Sequence, residues 1–596
     1  MADRTDKKQN VLNGAVILVV ATALVKIIGA VYKIPLTGII GSLGRGYFAS
    51  AYNIYTPIYG ISMAGLPVAV SAIVSKNAAQ GKYRDVKQVM KVTFPLFLFL
   101  GLLGTGVLLL LAKPYVNSIP APLAIYSVIA IAPSLLFCCI MSTYRGYYEG
   151  LNNMYPTAIS QVIESLGKLV FGLTFSYAII NYAEKQIAAT GEVFGQVIAT
   201  EGDKAIVYAM AAAGAIFGVT LGTVFGALFT ILRHKIKKDG ITKEMLQNSP
   251  LASPKRDTVK SIIAIAVPTA ISSLVLNVTN FIDTWMIQGR LETVIGKSYD
   301  TIVNVYGDSV LNALQSGVTK ETLHTFLYGA YDTTLDFRNL VPTVMMTLGV
   351  SAIPVISAAM AKKDMKTVNN TVNTVFRTTM LIALPAGVGL FVLSEPILTL
   401  LYKGTENETG IAIAAPVLAL YGLMMAILTL SSPLTNILQA IGRADVPAKS
   451  LALGCVIKIG LNYLLIGIPE INVKGAVFGT AAFYLFCIFY NYSVLKKETG
   501  VKIDFKTVLL KPLIASVVCG VAAWGSYEFF SNVLTFGDMS GRLNGQSLAT
   551  LISIGVAVVV YAIVVLLSKT LVKDDILMLP KGEKLAKILE KYRLLG

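Results

Sequence analysis

The chain has 596 residues, of which 55% are hydrophobic and only 14% are charged, and its formal net charge is +17. Soluble globular proteins carry about 25% charged residues, so this composition excludes a string of soluble domains, and its apolar content excludes a disordered chain. Apolar segments recur from end to end, and about 20 such residues let a helix cross the hydrocarbon of a bilayer. The sequence therefore predicts an all-α polytopic membrane protein.

Fourteen segments have the length and composition of a membrane-spanning helix. The first six are Val11–Tyr32, Tyr47–Val74, Val92–Ala112, Ala121–Tyr144, Thr157–Asn181 and Ala205–Leu232. After a basic stretch come Ile262–Ile287, Phe337–Met360, Val372–Leu393, Ile411–Ile441, Leu451–Ile468 and Ala476–Val494. A final pair is Leu513–Phe530 and Leu548–Leu567.

An internal repeat predicts how these spans are grouped. Residues of the first half recur at one constant interval in the second half: Ser71, Ala72, Lys76, Lys91 and Gly101 are matched by Ser357, Ala358, Lys362, Arg377 and Gly387. Parallel repeats predict two pseudo-symmetric six-helix lobes related by an axis along the membrane normal. We expect an N-lobe at residues 1–235, a basic cytoplasmic linker at 236–260, a C-lobe at 261–497 and a C-terminal region at 498–596.

The distribution of Lys and Arg predicts the orientation of the chain. Most of these residues lie in the segments that face one side of the membrane, including the linker at 236–260 and the tail from Lys569. The positive-inside rule assigns this side to the cytoplasm, so both termini are predicted to be cytoplasmic. The net positive charge is explained by topology and requires no nucleic-acid partner. Leu585, Ile588 and Leu589 have the spacing of an amphipathic tail helix, on the inner leaflet or in solvent.

Cysteine and histidine usage argues against catalysis. The five Cys residues all lie in apolar runs without a CxxC pair, which disfavours a disulfide framework or a zinc site. His234 and His324 are far in sequence from any candidate nucleophile with a partnering acid. No phosphate-binding loop of an ATPase is encoded. We therefore predict that the protein is not an enzyme and has no metal site and no cofactor.

Ionisable residues within spans are candidate site residues, because each costs free energy unless it faces a cavity or a partner. Lys26 and Lys33 are two helical turns apart on one face of the first span. Lys33 is also close enough to the outer end to reach the headgroups. Lys168 follows Glu164 by four residues, so these two side chains can form a structural ion pair.

Further candidates lie later in the chain. Asp283 belongs to a polar stripe in the seventh span, and Arg338 lies at the outer end of the eighth. Arg145, at the end of the fourth span, suits either lipid headgroups or a gate. Arg377 and Lys458 are expected to extend to the inner membrane interface. Because cations outnumber acids within the spans, a cavity that they line would attract an anion.

Three stretches resemble a known family. The run Ser142–Glu164, which contains Tyr-Arg-Gly-Tyr-Tyr-Glu-Gly, is similar to the hairpin of the fourth and fifth helices in the polysaccharide-transporter branch of the multidrug/oligosaccharidyl-lipid/polysaccharide flippase superfamily. Ile34–Gly41 and the segment Ala51–Ser71 resemble its stage V sporulation protein B-like group, which is related to MurJ-type lipid II flippases. With the predicted layout, the resemblance covers essentially the whole chain.

The resemblance implies a function in the bacterial cytoplasmic membrane. Such proteins flip undecaprenyl-pyrophosphate-linked glycans, lipid II or a related cell-wall precursor, by alternating access around a central cavity. Lys26, shortly before Gly29, matches a basic residue of the family's first helix, where Arg is usual, and Lys33 lies about one residue from a second family cation. Arg338 resembles the basic residue that opens the eighth helix, although the preceding Tyr331–Phe337 departs from the family pattern.

Physical chemistry is consistent with this implied substrate and leaves two alternatives. A few Lys and Arg residues can neutralise a pyrophosphate, and the polyprenyl tail can remain among membrane lipids. Without an ATP site, the energy would come from the membrane potential or from a proton or sodium gradient, at about 2.3 kcal/mol per charge per 100 mV. One alternative is a drug/cation antiporter of the same fold, for which acidic cavity residues are expected. The other is a membrane glycosyltransferase, for which paired carboxylates are expected.

Overall fold

The computed structural model describes residues 11–237, 239–402, 408–534 and 544–572. Its α-helices in the first half are α1 (Val11–Gly60), α2 (Leu66–Ala79), α3 (Tyr83–Ser118), α4 (Ile125–Ile131), α5 (Ser134–Gly150), α6 (Tyr155–Thr190) and α7 (Ala205–Lys237). A short α8 (Lys243–Gln247) precedes α9 (Lys255–Tyr306), α10 (Asp308–Gln315), α11 (Leu323–Arg338) and α12 (Leu340–Ala361). The remainder are α13 (Met365–Val392), α14 (Ser394–Tyr402), α15 (Glu408–Ala440), α16 (Asp445–Ile466), α17 (Gly475–Thr499), α18 (Lys511–Val533) and α19 (Gly545–Leu567).

The described residues confirm an all-α membrane fold. Eleven of their helical segments are long and apolar enough to cross a bilayer. The first predicted span and the first part of the second lie within α1, which bends at Gly41, whose φ of 62° only glycine adopts readily. The second predicted span continues through a π-helical turn at Ile61–Gly65 into α2. The seventh and eighth predicted spans are helical, in α9 and α12, but are not among the eleven. The count of fourteen therefore stays a prediction, and the tail helix predicted after Lys569 lies largely outside the described residues.

Two segments predicted as outer loops contain regular structure. Between α6 and α7, Glu192–Val193 and Gln196–Val197 form a small antiparallel hairpin, turned by Phe194 and Gly195 at positive φ. After the seventh span, α9 continues to Tyr306 and is followed by α10 and α11. Apolar side chains explain this extension, because Leu291, Ile295 and Ile302 recur at helical spacing and are buried.

The described chain packs as two compact units. Unit 1 contains the described residues up to Glu292 together with Ala313–Gly329. Unit 2 contains Thr293–Asn312 and the described residues from Ala330 onward. The division therefore falls within α9, and the lobe boundary at the linker stays a prediction. The first part of α9 belongs to unit 1 because Ile262 and Ala266 are buried in the same core as Val86 and Val89 of α3.

The linker at 236–260 is attached to unit 1. Asp85, in the first turn of α3, accepts a hydrogen bond from the Ser253 backbone N–H at 2.7 Å, and the Arg84 guanidinium donates to the Leu246 carbonyl at 2.9 Å. Asp239 accepts hydrogen bonds from Lys87 and Tyr147. Burial acts to raise the pKa of Asp239, but these donors outweigh burial and hold the pKa below its usual value.

Helices α6 and α7 approach closely through small residues. An added Cβ on Gly218 of α7 would come within 2.2 Å of the Gly172 backbone nitrogen in α6. One turn along, a Cβ on Gly222 would lie 2.4 Å from the Glu164 carbonyl oxygen. Small residues permit such backbone contact between membrane helices, where packing replaces the hydrophobic effect. This contact sets the position of the α6 segment that carries Glu164 and Lys168.

We expect Gly218→Ala to destabilise the protein by about 1–3 kcal/mol, because the methyl group can be accommodated only by separating α6 from α7. Thermal unfolding of the detergent-purified protein measures this effect. Gly525→Ala in α18 is the matched control, since its Cβ meets no atom within 4 Å, and helix propensity predicts a gain of up to about 1 kcal/mol. Equal stability of the two variants would contradict the close-packing argument.

Candidate functional site

Helices α1, α5 and α6 place the cations Arg45, Arg145 and Lys168 in the interior of unit 1. Arg145 is only 2% exposed, and its guanidinium donates to Glu164 Oε2 at 3.1 Å and to Ser160 Oγ at 2.8 Å. Of the two alternatives for Arg145, lipid headgroups or a gate, this burial argues against the headgroups. Glu164 is 19% exposed, and its pairing with Arg145 brings α5 and α6 together. Sequence spacing alone favoured Lys168 as the partner of Glu164.

Lys168 lies against aromatic rings of α1. Its Nζ is 4.8 Å from the ring centroid of Tyr32 and 5.4 Å from that of Tyr52. Both distances are within the range of a cation–π interaction. Phe48 stacks on Tyr52 with centroids 5.8 Å apart and is tilted against Tyr32 at 6.5 Å. We call Tyr32, Phe48 and Tyr52 the aromatic cluster of α1.

Lys26 differs from the other candidate cations of unit 1. Its side chain is exposed, and its ammonium forms no hydrogen bond or ion pair with the described residues. A Cβ on the neighbouring Gly29 would meet no atom within 4 Å, so this face of α1 is not packed against unit 1. An ion pair between Lys26 and Asp283, the structural alternative to a binding role, is absent from the described structure. Lys33, two turns beyond Lys26, is half-buried.

Asp283 is half-buried on α9, next to a polar network that the sequence did not predict. The Asn53 side-chain amide of α1 donates to Thr284 Oγ1 at 2.8 Å and to Tyr328 Oη at 3.0 Å. Thr284 and Tyr328 are also hydrogen-bonded to each other at 2.8 Å. One turn further along α9, Gln288 donates to Ser50 Oγ at 2.8 Å. These bonds join α1, α9 and α11 within unit 1.

Arg45 is a buried cation that sequence analysis missed. It is 1% exposed and donates to Thr37 Oγ1 at 3.0 Å across the bend of α1 at Gly41. It was overlooked because it falls between the first two predicted spans, where a charged residue is unremarkable. Together with Arg145 and Lys168, it is one of three cations that α1, α5 and α6 place in the interior of unit 1.

Arg338 belongs to unit 2, where it contacts tyrosines. Its guanidinium lies 5.4 Å from the ring centroid of Tyr421, and its Nη1 is 3.5 Å from the Tyr421 hydroxyl. That hydroxyl is hydrogen-bonded to the Tyr331 hydroxyl at 3.0 Å. Tyr331 stands in the segment that departs from the family pattern, so this departure supplies part of the environment of Arg338.

Arg377 and Lys458 are enclosed by protein. Their exposed fractions are 7% and 5%, and their expected extension to the inner membrane interface stays a prediction. Arg377 Nη2 lies 3.4 Å from Thr374 Oγ1, and Lys458 Nζ lies 5.9 Å from the ring centroid of Phe483. Both residues are therefore part of the interior of unit 2.

An apolar cavity of about 430 Å³ lies among α13, α15 and α18 of unit 2. Its lining is almost entirely hydrocarbon and includes Val388, Gly422 and Trp524. A cavity of this kind suits an alkyl or isoprenoid chain and offers few partners to a sugar or a phosphate. Helix α18, which contains the thirteenth predicted span, forms one wall of this cavity.

Comparison with known proteins identifies the family. The model of the polysaccharide biosynthesis protein family matches residues 11–360, more than half of the chain. The chain belongs to this family. A second family model, that of lipid II flippase MurJ, matches residues 340–543. The resemblance inferred from the run Ser142–Glu164 and the helix layout is confirmed.

Two relatives from Bacillus subtilis (strain 168) extend over most of the chain. Lipid II flippase MurJ is 27% identical over 86% of this chain and 87% of its own length. Stage V sporulation protein B is 23% identical over 96% of this chain and 98% of its own length. These matches cover both units of this member of the polysaccharide biosynthesis protein family.

Solved structures show the same fold. Lipid II flippase MurJ in an inward closed conformation matches with a TM-score of 0.58 at 15% identity, over 92% of this chain and 98% of that one. An inward-facing multidrug resistance MATE family transporter of the MOP superfamily also matches with a TM-score of 0.58, at 14% identity, over 80% and 94%. Since a flippase and a drug transporter match equally well, the fold does not choose between their substrates.

We expect Glu164→Ala to destabilise the protein by up to about 3–5 kcal/mol, because it leaves the buried Arg145 guanidinium without its counter-charge. The double variant Arg145→Leu/Glu164→Leu should be destabilised by less than the sum of the losses in Arg145→Leu and Glu164→Leu. Thermal unfolding of the parent, these two single variants and the double variant gives the coupling energy. Additive losses would show that the ion pair contributes nothing to the free energy of unfolding. Lys185→Ala, at an exposed position on α6, is the control for loss of a charge.

Proposed function

We propose that this protein is a flippase that moves an undecaprenyl-pyrophosphate-linked glycan, lipid II or a related cell-wall precursor, across the bacterial cytoplasmic membrane by alternating access. The observation that carries the proposal is the exposed Lys26 ammonium on α1, which has no hydrogen bond or ion pair with the described residues. An anion is the charge that such a surface attracts. The family match and the MurJ relatives support a lipid-linked glycan as the anionic substrate.

The apolar cavity of unit 2 supports the same substrate class. A polyprenyl tail is a long hydrocarbon, and it can pack against Val388 and Trp524 as it packs against lipid tails, with no polar group left unsatisfied. We propose that α18 guides the tail while the charged headgroup is handled elsewhere. Energy is proposed to come from the membrane potential or a proton or sodium gradient, and the protein acts as a transporter and not as an enzyme.

Within this proposal, Lys26 binds phosphate. Its lack of a protein partner distinguishes it from Arg145, which is committed to Glu164. An ammonium without a counter-charge on an apolar helix is costly unless water or an anion solvates it. Arg would serve equally well at this position, since it keeps the charge and binds phosphate through two donors. Lys33 and Arg338 are proposed as further ligands of the headgroup.

We expect Lys26→Ala to reduce translocation of a fluorescent lipid-linked glycan in proteoliposomes by about tenfold or more, with Lys26→Arg retaining most of it. The melting temperature of Lys26→Ala should equal that of the parent protein, because no described contact is lost. Lys185→Ala is the control for charge. Export of cationic drugs without glycan translocation would favour the antiporter, and sugar incorporation by purified protein would favour a glycosyltransferase.

The proposed orientation places both termini and the linker at 236–260 in the cytoplasm, as the positive-inside rule predicts. Lys320→Cys, in the segment before α11, should react with a membrane-impermeant maleimide in intact cells. Lys243→Cys, in α8, should react only after the membrane is permeabilised. Both are exposed positions, and the native Cys residues are replaced beforehand. The opposite labelling pattern would invert the topology.

A further inference from the structure

Lys168 and the aromatic cluster of α1 form a built site for a cation. The ammonium lies within 5.4 Å of two tyrosine ring centroids, and ring faces attract cations through their quadrupole. This is the arrangement by which proteins recognise ammonium ions, here with the cation supplied by the chain itself.

The rings are held in place independently of Lys168. The Tyr32 hydroxyl donates to the Ala215 carbonyl of α7 at 3.2 Å, and a Cβ on Gly172 would come within 2.8 Å of its ring. Phe48 contacts both Tyr32 and Tyr52. Because these contacts involve α1, α6 and α7, we expect the cluster to keep its shape when the lysine side chain is removed.

The charges nearby show why a free cation does not compete for this site. Glu164, one turn before Lys168 on α6, is neutralised by Arg145 at 3.1 Å. Arg45 is buried on the same helix as the aromatic rings. A second cation entering the aromatic cluster would meet the Lys168 ammonium at close range, and repulsion between like charges is strong where water is scarce.

We infer that the aromatic cluster of α1 is an alkylammonium-binding site permanently occupied by Lys168, and that this internal occupant excludes free cations from the interior of unit 1. The inference goes beyond the proposed flippase function, because it concerns what unit 1 rejects and does not depend on which glycan is moved. It also gives a physical reason why a chain that shares its fold with a multidrug transporter would not carry cationic substrates.

Lys168→Ala tests this inference by opening the site. The substitution removes three methylenes and the ammonium, which n-propylammonium replaces atom for atom. In the purified full-length variant, we expect n-propylammonium to raise the melting temperature by about 2–4 °C. The neutral analogue n-propanol should have no such effect, and the parent protein should show no gain with either compound.

Three further variants make the test specific. Lys168→Met keeps the site filled with a neutral chain and should not respond, and Lys185→Ala should not respond because it lies outside the site. Lys168→Ala/Tyr52→Leu should lose the response, because one ring face is removed. If Lys168→Ala fails to fold, the same comparison is made on Lys168→Ser by direct binding of isotope-labelled n-propylammonium.

The outcomes separate clearly. A response of Lys168→Ala to n-propylammonium alone, abolished by Tyr52→Leu, supports an occupied cation site. An equal response to n-propanol would mean that the site is only a void, and an equal response of the parent protein would mean that Lys168 does not fill it. Either result, or no binding at all, overturns the inference without bearing on glycan translocation.

Discussion

A charge placed where water is excluded must be neutralised, and this constraint arranges the interior of unit 1. Arg145 is satisfied by Glu164 and Ser160, and Lys168 by two aromatic faces. Each solution needs side chains from more than one helix, so the charges themselves tie α1, α5 and α6 together. The same constraint makes the exception informative, because Lys26 has no such partner among the described residues.

Glycine contacts make these pairings possible. The close approach of α7 to α6 at Gly218 and Gly222 leaves no room for side chains on that side. It sets the height and rotation of α6, and therefore the directions in which Glu164 and Lys168 extend. Dispersion contacts between backbones supply much of the association energy of membrane helices, so the least chemically distinctive residues determine the geometry of the charged ones.

The interiors of the two units combine charged and apolar surfaces. Unit 1 encloses Arg45 and Arg145, and unit 2 encloses Arg377 and Lys458 and also contains a cavity of about 430 Å³ with an almost purely apolar lining. Arg338, held against Tyr421, is a polar element of unit 2. The proposed substrate, with its anionic headgroup and hydrocarbon tail, can contact both kinds of surface.

The sequence by itself determined the class of fold, because helices that cross lipid need long apolar runs whose composition is visible without any structure. It also identified the embedded ionisable residues, since any charge in such a run stands out. Only the tertiary structure decided their partners. Glu164 pairs with Arg145, a partner on another helix that the spacing of residues along α6 does not reveal. Arg45 is buried in unit 1, and Arg377 and Lys458 are buried in unit 2. Helical periodicity states which residues share a face, but the neighbour that covers that face comes from elsewhere in the chain, through contacts that no local pattern encodes.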